Sequence, residues 1–294
     1  MTSVAIVQFK PRKGDRAANL AMLREVFAQL AASPPQLVVL PEAALTGYFL
    51  EGAVYDLALS AEAFTALLHE AWCASGSGEI DIVSGFYESD GSAFYNSAVY
   101  ARIGGAAPRI VHVHRKMFLP TYGVFDEERF LTRGRKLGVF PSAFGPAAML
   151  ICEDAWHAVM PTIAALKGAR VIIVPSASPG RGIGPSGELE SAQRWRALLT
   201  TFAAEHGVYV LYAGLTGFEG GKGMSGSSCA IGPSGAVIVS APPLEACILR
   251  LDLDPAEIDV ARATMPLLGD LSAVLPDLWF DDELPLPHPR AMVE

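Results

Sequence analysis

Four short stretches of this chain, residues 36–40, 147–152, 171–174 and 208–212, are apolar at nearly every position. A strand with one face in water alternates apolar and polar residues, whereas a strand that does not alternate is covered on both faces. Such strands are stable only inside a layered structure, with helices or a second sheet on either side. The segments between them supply the helices. Residues 17–30 carry Leu20, Leu23, Val26, Phe27 and Leu30 at helical spacing, with Asp15 placed as an N-cap. Residues 61–72, 158–167 and 190–205 read as further helices, the last two closed by Gly168 and Gly207. Residues 4–9, 80–87, 95–103, 109–114 and 247–253 read as strands. Residues 228–231 and 236–240 flank Gly232-Pro233-Ser234-Gly235, a hairpin turn by its composition. Asp254-Pro255 starts a short helix. The fold class is therefore α/β, with antiparallel elements mixed in.

Composition narrows the partners. The net charge of −9 and pI near 5.2, without a cluster of Lys and Arg, argue against a nucleic-acid partner. No apolar run is long enough to span a bilayer, and the N-terminus enters a strand directly, so no membrane partner and no secretory signal are expected. Cys73, Cys152, Cys229 and Cys247 are scattered and form no C-x-x-C pair, which suggests neither a zinc site nor a disulfide framework and fits a reducing, cytoplasmic setting. Three of them, Cys73, Cys229 and Cys247, read as buried structural residues. His112 and His114 share one strand face without a third ligand at a telling spacing, so no metal and no cofactor are expected. No linker composition divides residues 1–265, and the Pro-, Leu- and Asp-rich residues 266–294 read as an irregular tail.

Three of the apolar strands end in groups that packing does not need. Val38-Val39-Leu40-Pro41-Glu42 ends in a carboxylate, Val113-His114-Arg115-Lys116 in an ammonium, and Leu150-Ile151-Cys152 in a thiol. Burying any one alone is costly, so such groups pair or sit in a functional site. Together they suit nucleophilic catalysis: a thiol needs a base to become a thiolate, and a cation stabilises an oxyanion.

These residues, with Leu45-Thr46-Gly47-Tyr48, Leu119-Pro120, Phe125-Asp126-Glu127-Glu128-Arg129-Phe130 and Cys152-Glu153-Asp154, resemble the nitrilase superfamily of carbon–nitrogen hydrolases. The resemblance implies a four-layer α-β-β-α sandwich over residues 1–265. It implies Cys152 as nucleophile, Glu42 as general base, and Lys116 with the backbone N–H of Glu153 as oxyanion donors. It also implies a second glutamate, Glu127 or its neighbour Glu128. Members assemble through a helix face, so a homodimer or larger homo-oligomer is implied, with Leu271, Val274, Leu278, Trp279 and Phe280 as possible anchors of a crossing arm.

The segments 119–127, 152–156 and 177–179 are similar to the glutaminase domain of glutamine-dependent NAD synthetases. That similarity implies Tyr122 and Ser178, beside Tyr48, as substrate-pocket residues. Met224 replaces the family's usual aromatic before the Gly-Ser turn, which puts the acyl-pocket shape in question. No P-loop-like ATP-binding segment occurs within the 294 residues, so the expectation is a stand-alone amidase. It would cleave a small linear amide or N-carbamoyl compound with water and release ammonia through a thioester. The alternative is a glutaminase subunit delivering ammonia to a separate synthetase. A true nitrilase is less favoured, because Glu153-Asp154 rather than Trp-Glu follows the cysteine. The three intact groups argue against a non-catalytic interaction module.

Overall fold

The structure is a computed structural model describing residues 1–279 except 77 and 186. Its strands are β1 (Thr2–Gln8), β2 (Leu37–Val39), β3 (Ile80–Asp90), β4 (Ala93–Ile103), β5 (Arg109–Arg115), β6 (Val139–Ser142), β7 (Gly145–Met149), β8 (Val171–Ser176), β9 (Tyr209–Gly214), β10 (Thr216–Glu219), β11 (Lys222–Ser225), β12 (Cys229–Ile231), β13 (Val237–Ser240) and β14 (Cys247–Leu253). The helices are α1 (Arg16–Ala31), α2 (Val54–Leu57), α3 (Ala61–Cys73), α4 (Val159–Leu166), α5 (Glu190–His206), α6 (Ala256–Thr264) and α7 (Leu267–Trp279). One six-stranded sheet has the order β14-β1-β2-β3-β4-β5 and the other β13-β12-β9-β8-β7-β6, with β10-β11 a separate hairpin. Both sheets mix parallel pairs (β1-β2-β3, β7-β8-β9) with antiparallel ones.

The unbroken apolar runs are explained by what lies on either side. Val4 and Ile6 of β1 and Leu37 and Val39 of β2 join the core that contains β7, β8 and β9. Their alternates Ala5, Val7, Val38 and Leu40 join a second core with Leu23, Phe27 and Leu30 of α1 and Phe64, Leu68 and Trp72 of α3. On the far side, Met160 and Ala164 of α4 and Trp195, Leu199 and Phe202 of α5 cover the second sheet. The order is helix, sheet, sheet, helix, a four-layer α-β-β-α sandwich. The local signals act as read: Asp15 Oδ1 accepts from Ala18 N at 3.0 Å, and Gly207 closes α5 at φ +57°.

Four readings change. The tail is not irregular over its described part, because Leu267, Leu268, Leu271 and Leu275 recur at helical spacing and form α7 despite Pro276. Helix α7 packs on α4 and α5, with Leu268 against the main core. Of the named anchors, Val274 and Leu278 are exposed and Leu271 half-buried; Trp279 ends the helix, and Phe280 with the rest of the tail lies outside the described residues. Cys73 is exposed at the end of α3 and Cys247 is half-buried, so of the three cysteines read as buried only Cys229 is buried, and all four thiols are free. Against the expected absence of a basic cluster, residues 129–136 carry exposed Arg129, Arg133, Arg135 and Lys136. Strand β7 ends at Met149, and Cys152 opens a short 3₁₀ turn, Cys152–Trp156.

Candidate active site

Glu42, Lys116 and Cys152 follow β2, β5 and β7, and the sandwich brings these ends together. Glu42 lies in a turn laid directly over β3 at Gly85. Gly85 N donates to Pro41 O at 3.0 Å and Ala44 N to Gly85 O at 3.2 Å. A Cβ at Gly85 would meet Glu42 Cα at 2.5 Å, so only glycine admits this approach. Lys116 is held past β5 by a hydrogen bond from its N–H to Asn96 O at 2.8 Å. Cys152 has φ +45°, a left-handed backbone that a non-glycine side chain adopts at a cost of about 1–3 kcal/mol. Such a turn lifts the side chain out of the strand line.

The charged groups form one buried cluster. Lys116 Nζ lies 2.9 Å from Glu42 Oε1 and 2.7 Å from Glu127 Oε1. Lys116 and Glu42 have no exposed surface, and Glu127 has 7%. Asn96 Nδ2 donates to Glu42 Oε1 at 2.7 Å and lies 3.5 Å from Glu127 Oε1. Ala177 N donates to Glu42 Oε2 at 2.7 Å, leaving that oxygen a free lone pair. Tyr48 Oη donates to Glu127 Oε1. Glu127 Oε2 and Ser176 Oγ are buried polar atoms with no protein hydrogen-bond partner among the described residues. Of the two neighbouring acids, Glu127 joins this cluster, whereas Glu128 is exposed and lines a separate groove.

Burial sets the resting protonation. It pushes the Cys152 thiol well above its ordinary range, and the Glu42 charge adds to this while Lys116 opposes it. The free thiol is therefore protonated at neutral pH. Burial acts to lower the Lys116 ammonium, but Glu127 and Glu42 outweigh it and hold the group charged. Glu127 is raised by burial to about 7, with Lys116 pulling down and Glu42 pushing up.

A pocket of about 210 Å³ opens over Cys152, lined among others by Tyr122, Glu153, Trp156, Ser178, Arg181 and Arg194. Two expected pocket residues, Tyr122 and Ser178, are in its wall. Tyr122 Oη donates to Glu153 Oε2 at 2.9 Å, and burial with this bond pushes the phenol up to about 12. Ser178 Oγ accepts from Trp195 Nε1 at 2.9 Å. The third, Tyr48, is not in this wall. With Glu127 it lines a separate aromatic cavity of about 290 Å³, beside Tyr87, Phe125 and Phe130. Met224 is fully buried; it is not itself a lining residue of the pocket over Cys152, but it pairs as a β-bridge with Pro179, which is. Glu153 is the second residue of the Cys152–Trp156 turn, so its N–H has no acceptor within that turn. His157 stacks on Phe118 at 3.6 Å between centroids. Among the described residues no group of His, Cys, Asp and Glu could hold a metal.

Sequence reasoning missed several members. Asn96 bridges the two carboxylates from the middle of β4, and the only signal was one amide in an otherwise apolar half-strand. Glu219, on a hairpin that was not foreseen, accepts from Tyr48 N at 2.9 Å and Phe49 N at 3.0 Å, while Tyr87 Oη donates to Tyr48 O. Tyr48 is thus fixed at both backbone groups. Asp154 was read only as part of a motif, yet its carboxylate is fully buried.

The carbon-nitrogen hydrolase family model matches residues 3–263. A nitrilase of Pyrococcus abyssi is 30% identical over 283 residues, covering 94% of this chain and 97% of that protein. A glutamine-dependent NAD(+) synthetase of Rhodobacter capsulatus is 30% identical over 258 residues, covering 87% of this chain and 44% of the relative. The chain thus spans under half the length of such synthetases. Among solved structures, a carbon-nitrogen hydrolase from Helicobacter pylori G27 superposes with a TM-score of 0.82 at 24% identity, covering 95% of this chain and 98% of that one. The NitN amidase of Nesterenkonia sp. AN1 superposes at 0.76 with 25% identity, covering 95% and 100%. With its fold, its matched length and these relatives in agreement, the chain belongs to the carbon–nitrogen hydrolase family, within the nitrilase superfamily.

Proposed function

We propose that the protein hydrolyses the C–N bond of a small linear amide or N-carbamoyl compound through a thioester on Cys152. The observation that carries this reading is a thiol that lines a pocket and lies within the field of a buried cluster of Glu42, Lys116 and Glu127. As the sulfur bonds to the carbonyl carbon, its proton passes to Glu42, whose Oε2 keeps a free lone pair. The carbonyl oxygen becomes an oxyanion facing the Lys116 ammonium and the Glu153 N–H. Collapse breaks the C–N bond, and the departing amine takes the proton from Glu42 and leaves as ammonia. Water then gives a proton to Glu42 and attacks the thioester, releasing a carboxylic acid and restoring the thiol. A thiol that rests protonated suits this sequence, because the proton needed by the leaving amine is already present. Glu127, with one oxygen unpartnered, is available to accept a substrate N–H. The general base contributes about 10²–10⁴-fold and an oxyanion donor about 10²–10³-fold.

A screen for ammonia release over primary amides, N-carbamoyl amines and nitriles tests this, with Cys152→Ala as control. Turnover of nitriles alone, or turnover that survives Cys152→Ala, would refute it. A second reading, a glutaminase that supplies ammonia to a synthetase, is supported by the charged pocket wall. Arg181 and Arg194 suit a carboxylate and Glu153 and Glu190 an ammonium, as the ends of glutamine require. Preference for glutamine over neutral amides of equal length would select it. Assembly of two or more copies across α6 and α7, where Val260, Val274 and Leu278 are exposed, belongs to the same proposal, as does a cytoplasmic site of action. A monomer in light scattering would remove the assembly. Among the described residues no helix is long and apolar enough to cross a membrane.

A further inference from the structure

Asp154 is fully buried and takes no part in the chemistry above. Its carboxylate is nonetheless the most heavily bonded group around the site. Oδ1 accepts from Met117 N at 2.9 Å and Phe118 N at 3.0 Å, the two residues after Lys116. Oδ2 accepts from Ile151 N at 3.1 Å, the residue before Cys152. Its fourth partner is His114 Nε2 at 2.8 Å, two residues before Lys116. Asp154 N also donates to Ile151 O at 3.0 Å, so the acid spans Cys152 on both backbone and side chain. His114 is itself buried, and its Nδ1 has no partner among the described residues. The proton that joins the pair therefore belongs on Nε2.

Two facts give this arrangement a task. Cys152 sits at φ +45°, and such a conformation persists only where the surroundings over-determine it. Lys116 and Cys152 come from different strands, so nothing in the chain between them fixes their separation. We propose that Asp154, with His114 behind it, is a positioning residue that locks Cys152 in its left-handed conformation and holds it in register with Lys116. The carboxylate is suited to this because it accepts on both oxygens, one toward each segment. An asparagine would keep Oδ1 for Met117 and Phe118 but turn a donor toward Ile151 N–H.

The inference rests on Cys152 being the nucleophile, and the test separates the two. The alkylation rate of Cys152 by iodoacetamide is measured on the folded chain, with the site confirmed by peptide mass. Asp154→Asn is expected to slow alkylation by about 10- to 100-fold, the scale on which small misplacements act, while the protein stays folded. Mere loosening would do the opposite, since it would expose a thiol that is only 6% accessible. An unchanged or faster rate in folded Asp154→Asn overturns the proposal. Should that variant not fold, His114→Gln and His114→Leu decide. Glutamine can still donate to Asp154 and leucine cannot, so the leucine variant is expected to react about tenfold more slowly, and equal rates overturn the proposal. A wild-type Cys152 inert to iodoacetamide would overturn the nucleophile reading and this inference with it.

Discussion

Removing the Lys116 ammonium isolates the electrostatics of the cluster. Lys116→Met replaces a fully buried cation by an apolar side chain of similar length, with Glu42 2.9 Å and Glu127 2.7 Å from the lost nitrogen. Two buried carboxylates then keep only Asn96, shared between them, and Tyr48, on Glu127, as side-chain donors among the described residues. Removing one partner of a buried ion pair costs about 3–5 kcal/mol. For a domain of this size that is a fall in Tm on the order of 10 °C. The cost depends on pH, and its sign follows from the carboxylates. Already in the native cluster Glu127 is raised by burial to about 7. Without the cation, which lowers it, Glu127 rises further. A carboxyl whose folded pKa exceeds its unfolded value favours the folded state while protonated and loses that advantage as pH rises. The variant's deficit relative to wild type should therefore be small near pH 5 and grow through pH 8. Urea denaturation of both proteins at pH 5, 6.5 and 8 measures it. The double variant Lys116→Met/Glu127→Gln should recover part of the loss at pH 8. A deficit independent of pH, or larger at pH 5, would refute the account of two carboxylates held together by one cation.

Two further outcomes are expected. Glu127 binds its proton more tightly folded, at about 7, than its ordinary value of 4.5, so it makes wild-type stability fall as pH rises across that window; Glu127→Gln should flatten the Tm–pH curve there, and an unchanged slope would show that another group titrates. Gly85→Ala places a Cβ 2.5 Å from Glu42 Cα, so it should cost about 1–3 kcal/mol and slow Cys152 alkylation by displacing Glu42, whereas an unaltered denaturation midpoint would show that the turn can yield.

Much of this protein was legible before any coordinates. Unbroken apolar strands require cover on both faces, and helical spacing with Asp15 and Gly207 at the ends supplies that cover, so the layered class and most elements follow from local residues. A carboxylate, an ammonium and a thiol at three strand ends are likewise visible, because buried strands rarely end in such groups without a use for them. The tail was misread because Pro276 and the acids outweighed the leucine spacing in composition alone. What the chain could not show was which polar groups meet. Asn96, Glu219 and Asp154 are ordinary residues in sequence, and each acts on a segment from 31 to 171 positions away only if sheets pair in one register. The same holds for Glu127 and Glu128, adjacent in the chain, of which the first is buried in the cluster and the second exposed. Residue type determined which chemistry was possible, since propensity, periodicity and charge are local properties. Distance and burial decided which groups meet in one cluster, because desolvation and hydrogen bonding depend on neighbours that only the packed sandwich brings together.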